Sequence, residues 1–222
     1  MKHHPYALAV FCLATSWSLS RDATAEAPRE SPIALGAFKI VEKKSGPDNY
    51  YSVTPPPDAH IHAEYKPPFK TAVLGYQFPD DARRAVAGLR WSWRAVVLPK
   101  GGNECESGKG DSAAVVYVTW KRGLRWYTLK YVWSATGPKG RTCDSKRNPF
   151  VAQDTIIVDS GEPVGQWRTV HIVPDDEFRN HFEGGDPKAS VPDLVGVGIM
   201  SDGDQTKSQS SADYRDFVVV LR

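Results

Sequence analysis

Three groups of side chains in this 222-residue chain have the types and spacing to do chemistry. One lies on a hairpin. Val115 to Trp120 and Arg125 to Trp133 read as strands around a two-residue turn, Arg122-Gly123, so residues whose numbers sum to 245 should face one another. One face then carries Ala114, Val116, Val118, Tyr127, Leu129 and Tyr131, the makings of a core. The other carries Asp111, Tyr117, Thr119, Trp126, Thr128, Lys130 and Ser134. Aromatic rings among hydroxyls, a lysine and a carboxylate suit a sugar-binding platform, where a ring stacks on a pyranose and polar groups fix its hydroxyls. Trp126, Tyr117 and Lys130 are expected to form that platform, with Asp111 and Arg94 near it. Such a face also serves in many β-proteins as an ordinary packed or solvated surface.

The second group is Ser201-Asp202-Gly203-Asp204-Gln205-Thr206, directly after the apolar run Leu194 to Met200. Its spacing departs from an EF-hand, with Lys207 and Asp213 where glycine and glutamate belong. A structural calcium held by Asp202, Asp204 or Asp216 is a possible use; no other cofactor is expected. Asp111 paired with Asp202 or Asp204 would give the two carboxyl groups that a polysaccharide-cleaving enzyme needs. The third group is His60-Ile61-His62 with Asp58 two residues before. It lacks an evident third metal ligand and reads better as two surface histidines. No serine elbow, phosphate loop or dinucleotide glycine pattern is present.

These groups must be positioned by strands. Runs of β type recur at 37–43, 50–54, 60–65, 70–78, 89–98, 112–120, 125–134, 154–159, 166–173, 194–200 and 214–221, with most of the 17 prolines and 18 glycines between them. Alternation is clean in Leu89, Trp91, Trp93, Ala95 and Val97 against Arg90, Ser92 and Arg94, so that strand has one core side. The only helix expected is Asp175 to Phe182, with Asp175 as cap, and a short turn is expected over Asp80 to Val86. So many short strands need two packed sheets, and the pattern predicts an all-β, jelly-roll type antiparallel sandwich.

Residues 1–25 read as an export signal: Lys2, His3 and His4 precede an apolar stretch from Tyr6 to Leu19 and the small-residue site Ala23-Thr24-Ala25. Residues 26–35 are expected to form an arm and 36–222 a single domain. Removing Lys2, Arg21 and Asp22 takes the formal net charge from +2 to +1, which argues against a nucleic-acid binder, and no membrane anchor is expected after cleavage. Two cysteines remain, Cys105 and Cys143, and the 245 register puts Cys105 opposite position 140. A disulfide between them is expected, in the periplasm or outside the cell.

Several short motifs, in order, carry a family resemblance: Leu89-Arg90-Trp91-Ser92-Trp93-Arg94, Gly110-Asp111, Val116-Tyr117-Val118, Tyr131-Val132-Trp133-Ser134, Ser160-Gly161, Trp167, Gly196 to Asp204, and Asp213-Tyr214-Arg215-Asp216-Phe217. Over roughly residues 36–222 the chain resembles the exported bacterial family 3047 of the domains of unknown function. Ser112 departs from it where members tend to have a second acidic residue after Gly110-Asp111. The resemblance implies export and one domain, and it brings no activity. The leading expectation is non-catalytic binding of carbohydrate or a cell-envelope polymer. A polysaccharide-cleaving enzyme and a structural or partner-binding envelope protein are the alternatives.

Overall fold

A computed structural model describes residues 29–41 and 49–222. The export signal expected over 1–25 lies outside the described residues. Thirteen strands are described: β1 (Arg29–Pro32), β2 (Lys39–Ile40), β3 (Tyr51–Thr54), β4 (His60–Tyr65), β5 (Leu74–Gln77), β6 (Val86–Val97), β7 (Ser112–Arg122), β8 (Arg125–Ser134), β9 (Thr142–Arg147), β10 (Val151–Ser160), β11 (Arg168–Ile172), β12 (Asp193–Met200) and β13 (Ser210–Leu221). One helix, α1 (Pro174–Phe182), lies between β11 and β12.

The strands form a jelly-roll type β-sandwich. One sheet runs β11-β6-β13-β4-β3, with β1 also paired to β13; the other runs β2-β5-β12-β7-β8-β10-β9. The pairing is antiparallel except between β8 and β10, which run parallel. Residues 29–32, expected in the arm, thus join the first sheet. The alternation in β6 holds: Trp91, Trp93 and Ala95 are fully buried. Trp91 meets Tyr131 of the facing sheet edge-on at 5.4 Å, and Trp93 meets Trp133 at 6.5 Å. At one end α1 closes the core, Phe178 packing between Trp120 and Tyr127.

Three expectations need correction. The hairpin turn is Gly123-Leu124, since Arg122 pairs with Arg125 and Gly123, with a φ of 58°, takes the first central position that type II′ turns give to glycine. Facing residues such as Val118 and Leu129 therefore sum to 247. A slip of one residue on each side of the turn leaves the side chains from Ala114 to Trp133 on their expected faces, and a bulge between Ser112 and Ala114 ends that regularity before Asp111. β9 was not expected as a strand, since Thr142 to Arg147 is polar throughout and lacks alternation. The helix is capped at Val173 with Pro174 in its first turn, so Asp175 is not its cap.

Candidate functional site

Cys105 and Cys143 are joined, their Cα atoms 5.7 Å apart. The pair is as expected, for a different reason. Cys143 belongs to β9, three strands from the hairpin's first strand with β8 and β10 between them, and the bond ties the loop before β7 to that edge. The same loop supplies Glu104, whose carboxylate accepts from Lys130 Nζ at 2.7 Å with both side chains buried.

The outer face of the second sheet holds a cleft of about 830 Å³. Its floor is explained by register. One transverse row reads Gln77, Gly196, Thr119, Thr128 and Gln153 across β5, β12, β7, β8 and β10. The next reads Lys39, Gly75, Gly198, Tyr117 and Lys130. Glycines at three crossings leave the floor bare. A Cβ on Gly196 would sit 2.3 Å from the Tyr76 carbonyl oxygen, and one on Gly198 would sit 2.7 Å from Val73. Thr119, Thr128 and Gln153 offer hydroxyls and an amide between the rings of Tyr117 and Trp126, and all five line the cleft. Trp126 is 39% exposed, with Lys121 Nζ 4.7 Å from its ring centre. Among the described residues that line the cleft there is no aspartate or glutamate.

The expected platform is therefore assembled only in part. Tyr117 and Trp126 line the cleft. Lys130 stands behind Tyr117, 5.9 Å from its ring, and is committed to Glu104. Burial works to lower its pKa, but Tyr117 and Glu104 reverse this and hold it above the ordinary lysine value. Burial pushes the Tyr117 hydroxyl up to about 12. Asp111 is fully buried and accepts from the backbone N–H groups of Gln205 at 3.2 Å and Thr206 at 2.6 Å, so it pins a loop and lies off the platform. Arg94 is on the other sheet, its Nε donating to Asp213 at 2.6 Å. Both depart from the expected grouping because long-range packing, which spacing does not encode, decides their partners.

A family model described as a protein of unknown function, DUF3047, matches residues 62–218, from β4 to β13 and so through both sheets. The chain belongs to the DUF3047 family. No curated protein matches the sequence. Among solved structures, the DUF3047 chain is similar to a family 11 carbohydrate-binding module from the cellulase Lic26A-Cel5E of Clostridium thermocellum, at 11% identity over 89% of this chain and 85% of that one, TM-score 0.37. It is similar to Trichoderma harzianum endoglucanase 3 from family GH12, at 10% identity over 88% and 98%, TM-score 0.42. It is also similar to the xyloglucanase domain of NopAA from Sinorhizobium fredii, at 8% identity over 86% and 97%, TM-score 0.45. At such scores and identities neither the ligands nor the chemistry of those proteins transfers to DUF3047.

Two of the groups singled out in the sequence lie away from the cleft lining. Asp111, Asp202 and Asp204 converge, with one carboxylate oxygen of each within 4.8 Å of the others. Asp216, grouped with them from the sequence, lies instead beside Arg215 on the first sheet. Burial, aided by Asp204 and Asp111 and opposed by Lys130, pushes Asp202 up to about 7. Such a cluster can share a proton or take a divalent cation.

On the first sheet, His62 Nδ1 lies 2.5 Å from Asp213 Oδ1, and Asp213 sits across the ladder from both His62 and Arg94. Trp167 covers this network, its ring centre 4.6 Å from the Arg94 guanidinium and 3.9 Å from that of Arg215. His60 is buried and His62 part-buried, so they are not the surface pair expected. The third partner they lacked is Asp213, some 150 residues away in sequence and adjacent in the sheet. Gln77, Gln153 and the floor glycines also escaped sequence reasoning. Their signal, glycine at alternate positions in Gly196-Val197-Gly198, was present but has meaning only once β5 and β7 lie beside β12.

Proposed function

We propose that this protein binds a neutral polysaccharide chain in the cleft of the β12-β7-β8 sheet and does not cleave it. The observation that carries the reading is the cleft's lining: Tyr117 and Trp126 flank a row of hydroxyls and amides, with no carboxylate among the described lining residues and a single charged side chain, Lys39, whose Nζ donates to the Gly36 carbonyl at 3.1 Å. Rings and neutral hydrogen-bonding groups suit a sugar chain without net charge. Glycoside cleavage needs two carboxyl groups reaching the scissile bond from opposite sides. Asp111, Asp202 and Asp204 do converge, but they are not among the cleft's lining residues, and Asp111 spends both oxygens on backbone donors.

A calcium ion on Asp111, Asp202 and Asp204 belongs to the same proposal as a structural element. It would brace the loop after β12 and leave the cleft chemistry to the neutral groups. Calcium should raise the unfolding temperature and chelator should reverse the gain; an unchanged temperature removes the ion.

The test of the cleft is a binding panel of soluble neutral and acidic polysaccharides, run with the native protein and with Trp126→Ala. Retention on neutral polymers that is lost in a variant of unchanged unfolding temperature supports the reading. Release of reducing ends would overturn it in favour of a hydrolase.

A further inference from the structure

At one end of the second sheet two hairpin ends lie side by side: Lys121-Arg122-Gly123-Leu124-Arg125-Trp126, the β7–β8 turn with the strand ends on either side, and Lys146-Arg147-Asn148-Pro149-Phe150-Val151, the same for β9 and β10. Trp126 N–H donates to the Phe150 carbonyl at 2.8 Å, and Val151 is registered against Trp126. The two tips therefore form one edge. It carries five basic side chains and no acidic one. Arg122 is answered by Glu183 and Arg147 by Asp154. Lys121, Arg125 and Lys146 have no carboxylate partner among the described residues.

Leu124 is 79% exposed and Phe150 61% exposed. Large apolar side chains at the summit of basic loops cannot be explained by the core, which they do not touch. A charged polymer would be held by the cations alone and would gain nothing from Leu124. A surface with both anionic groups and an apolar layer just beneath uses both kinds of side chain. We propose that this edge docks on anionic lipid, with Leu124 and Phe150 entering the acyl boundary and the exposed Lys121 and Lys146 meeting the headgroups, while Arg125 lies back over the Tyr127 ring at 5.0 Å. The docking does not rest on the cleft reading, since neither Leu124 nor Phe150 lines the cleft.

The experiment is co-sedimentation of the protein with vesicles of phosphatidylcholine alone and of phosphatidylcholine mixed with phosphatidylglycerol. Binding is expected only to the mixed vesicles and should weaken with added salt. The double variant Leu124→Ser, Phe150→Ser should lower partitioning roughly a hundredfold, from loss of two buried apolar groups. Lys121→Ala with Lys146→Ala should lower it about thirtyfold, from loss of two charges near the surface. Unfolding temperatures of both variants should match the native protein, because the four positions are exposed. No binding to mixed vesicles, equal binding to neutral ones, or full binding by the Leu124 and Phe150 variant would overturn the proposal. Binding to a soluble acidic polysaccharide with none to vesicles would overturn it in favour of a polymer site.

Discussion

The outward faces of the two sheets are built from the same materials and end in opposite states. On the first sheet, Asp213, His62, Arg94, Arg215 and Asp58 answer one another's charges, and Trp167 lies over them. On the second, Tyr117, Thr119, Thr128 and Gln153 stand around a floor of glycines. One face has spent its polar groups on one another under a tryptophan, and the other leaves its polar groups lining an open cleft. Polar composition on a sheet face therefore says little about binding. What matters is whether the groups can satisfy one another first, which depends on neighbours across the ladder.

The largest effect that would sharpen this contrast is loss of the disulfide. Cys105→Ser with Cys143→Ser releases a loop spanning 38 positions, with an expected cost of about 3–4 kcal/mol in urea unfolding. Polysaccharide affinity should fall too, because Glu104 then loses its hold on Lys130 behind Tyr117. Unchanged affinity would mean that the cleft is braced elsewhere.

Asp213→Ala comes next. It leaves Arg94 and His62 without their buried carboxylate and should cost about 3 kcal/mol, while the folded variant keeps native polysaccharide affinity. A binding defect in folded protein would break the contrast by making the closed face functional.

Protonation separates the two regions further. Asp202 binds its proton more tightly folded than unfolded, so its contribution favours the fold at acid pH and declines as pH rises from about 4 to about 7. In chelator, Asp202→Asn should raise the unfolding free energy at pH 8 by on the order of 2 kcal/mol, with the gain vanishing near pH 4. The first sheet has the opposite sign at its acid end. Burial works to raise the Asp213 pKa, but hydrogen bonds from His62 and Arg94 hold it below the ordinary aspartate value, so its contribution is lost only in strong acid. The His62 pKa is raised chiefly by its bond to Asp213, and that contribution is lost as pH climbs through the raised value. An Asp202→Asn gain that is independent of pH would refute the linkage.

The smallest effect is at Trp126. Because its ring is part-exposed, Trp126→Ala should leave stability within about 0.5 kcal/mol and lower polysaccharide affinity about tenfold, read by affinity electrophoresis. Loss of the fold instead would place the ring in the core.

Much of the fold was legible because it rests on local pattern. Period-two alternation marked β6, β7 and β8 with the correct inward faces, and the register error at the turn did no harm because it moved both strands together. Polar β9 was invisible for the same reason that alternating β6 was plain. Tyr117 and Trp126 were found because they share a hairpin, where sequence neighbours are also spatial neighbours.

The partners of Lys130, Asp111 and Arg94 were beyond reach by that route. Glu104, the Gln205–Thr206 backbone and Asp213 lie 26, 94 or more, and 119 positions away respectively. Sequence alone determined that this chain forms strands and which faces are apolar; it pointed to the Cys105–Cys143 pair, whose geometry comes from β9, a strand that pattern did not reveal. Only the tertiary structure decided which face stayed open, since cross-strand register sets bare glycines beside Tyr117 and brings Asp213 to two histidines. Alternation is written along one strand; satisfaction of charge is settled between strands far apart in the chain.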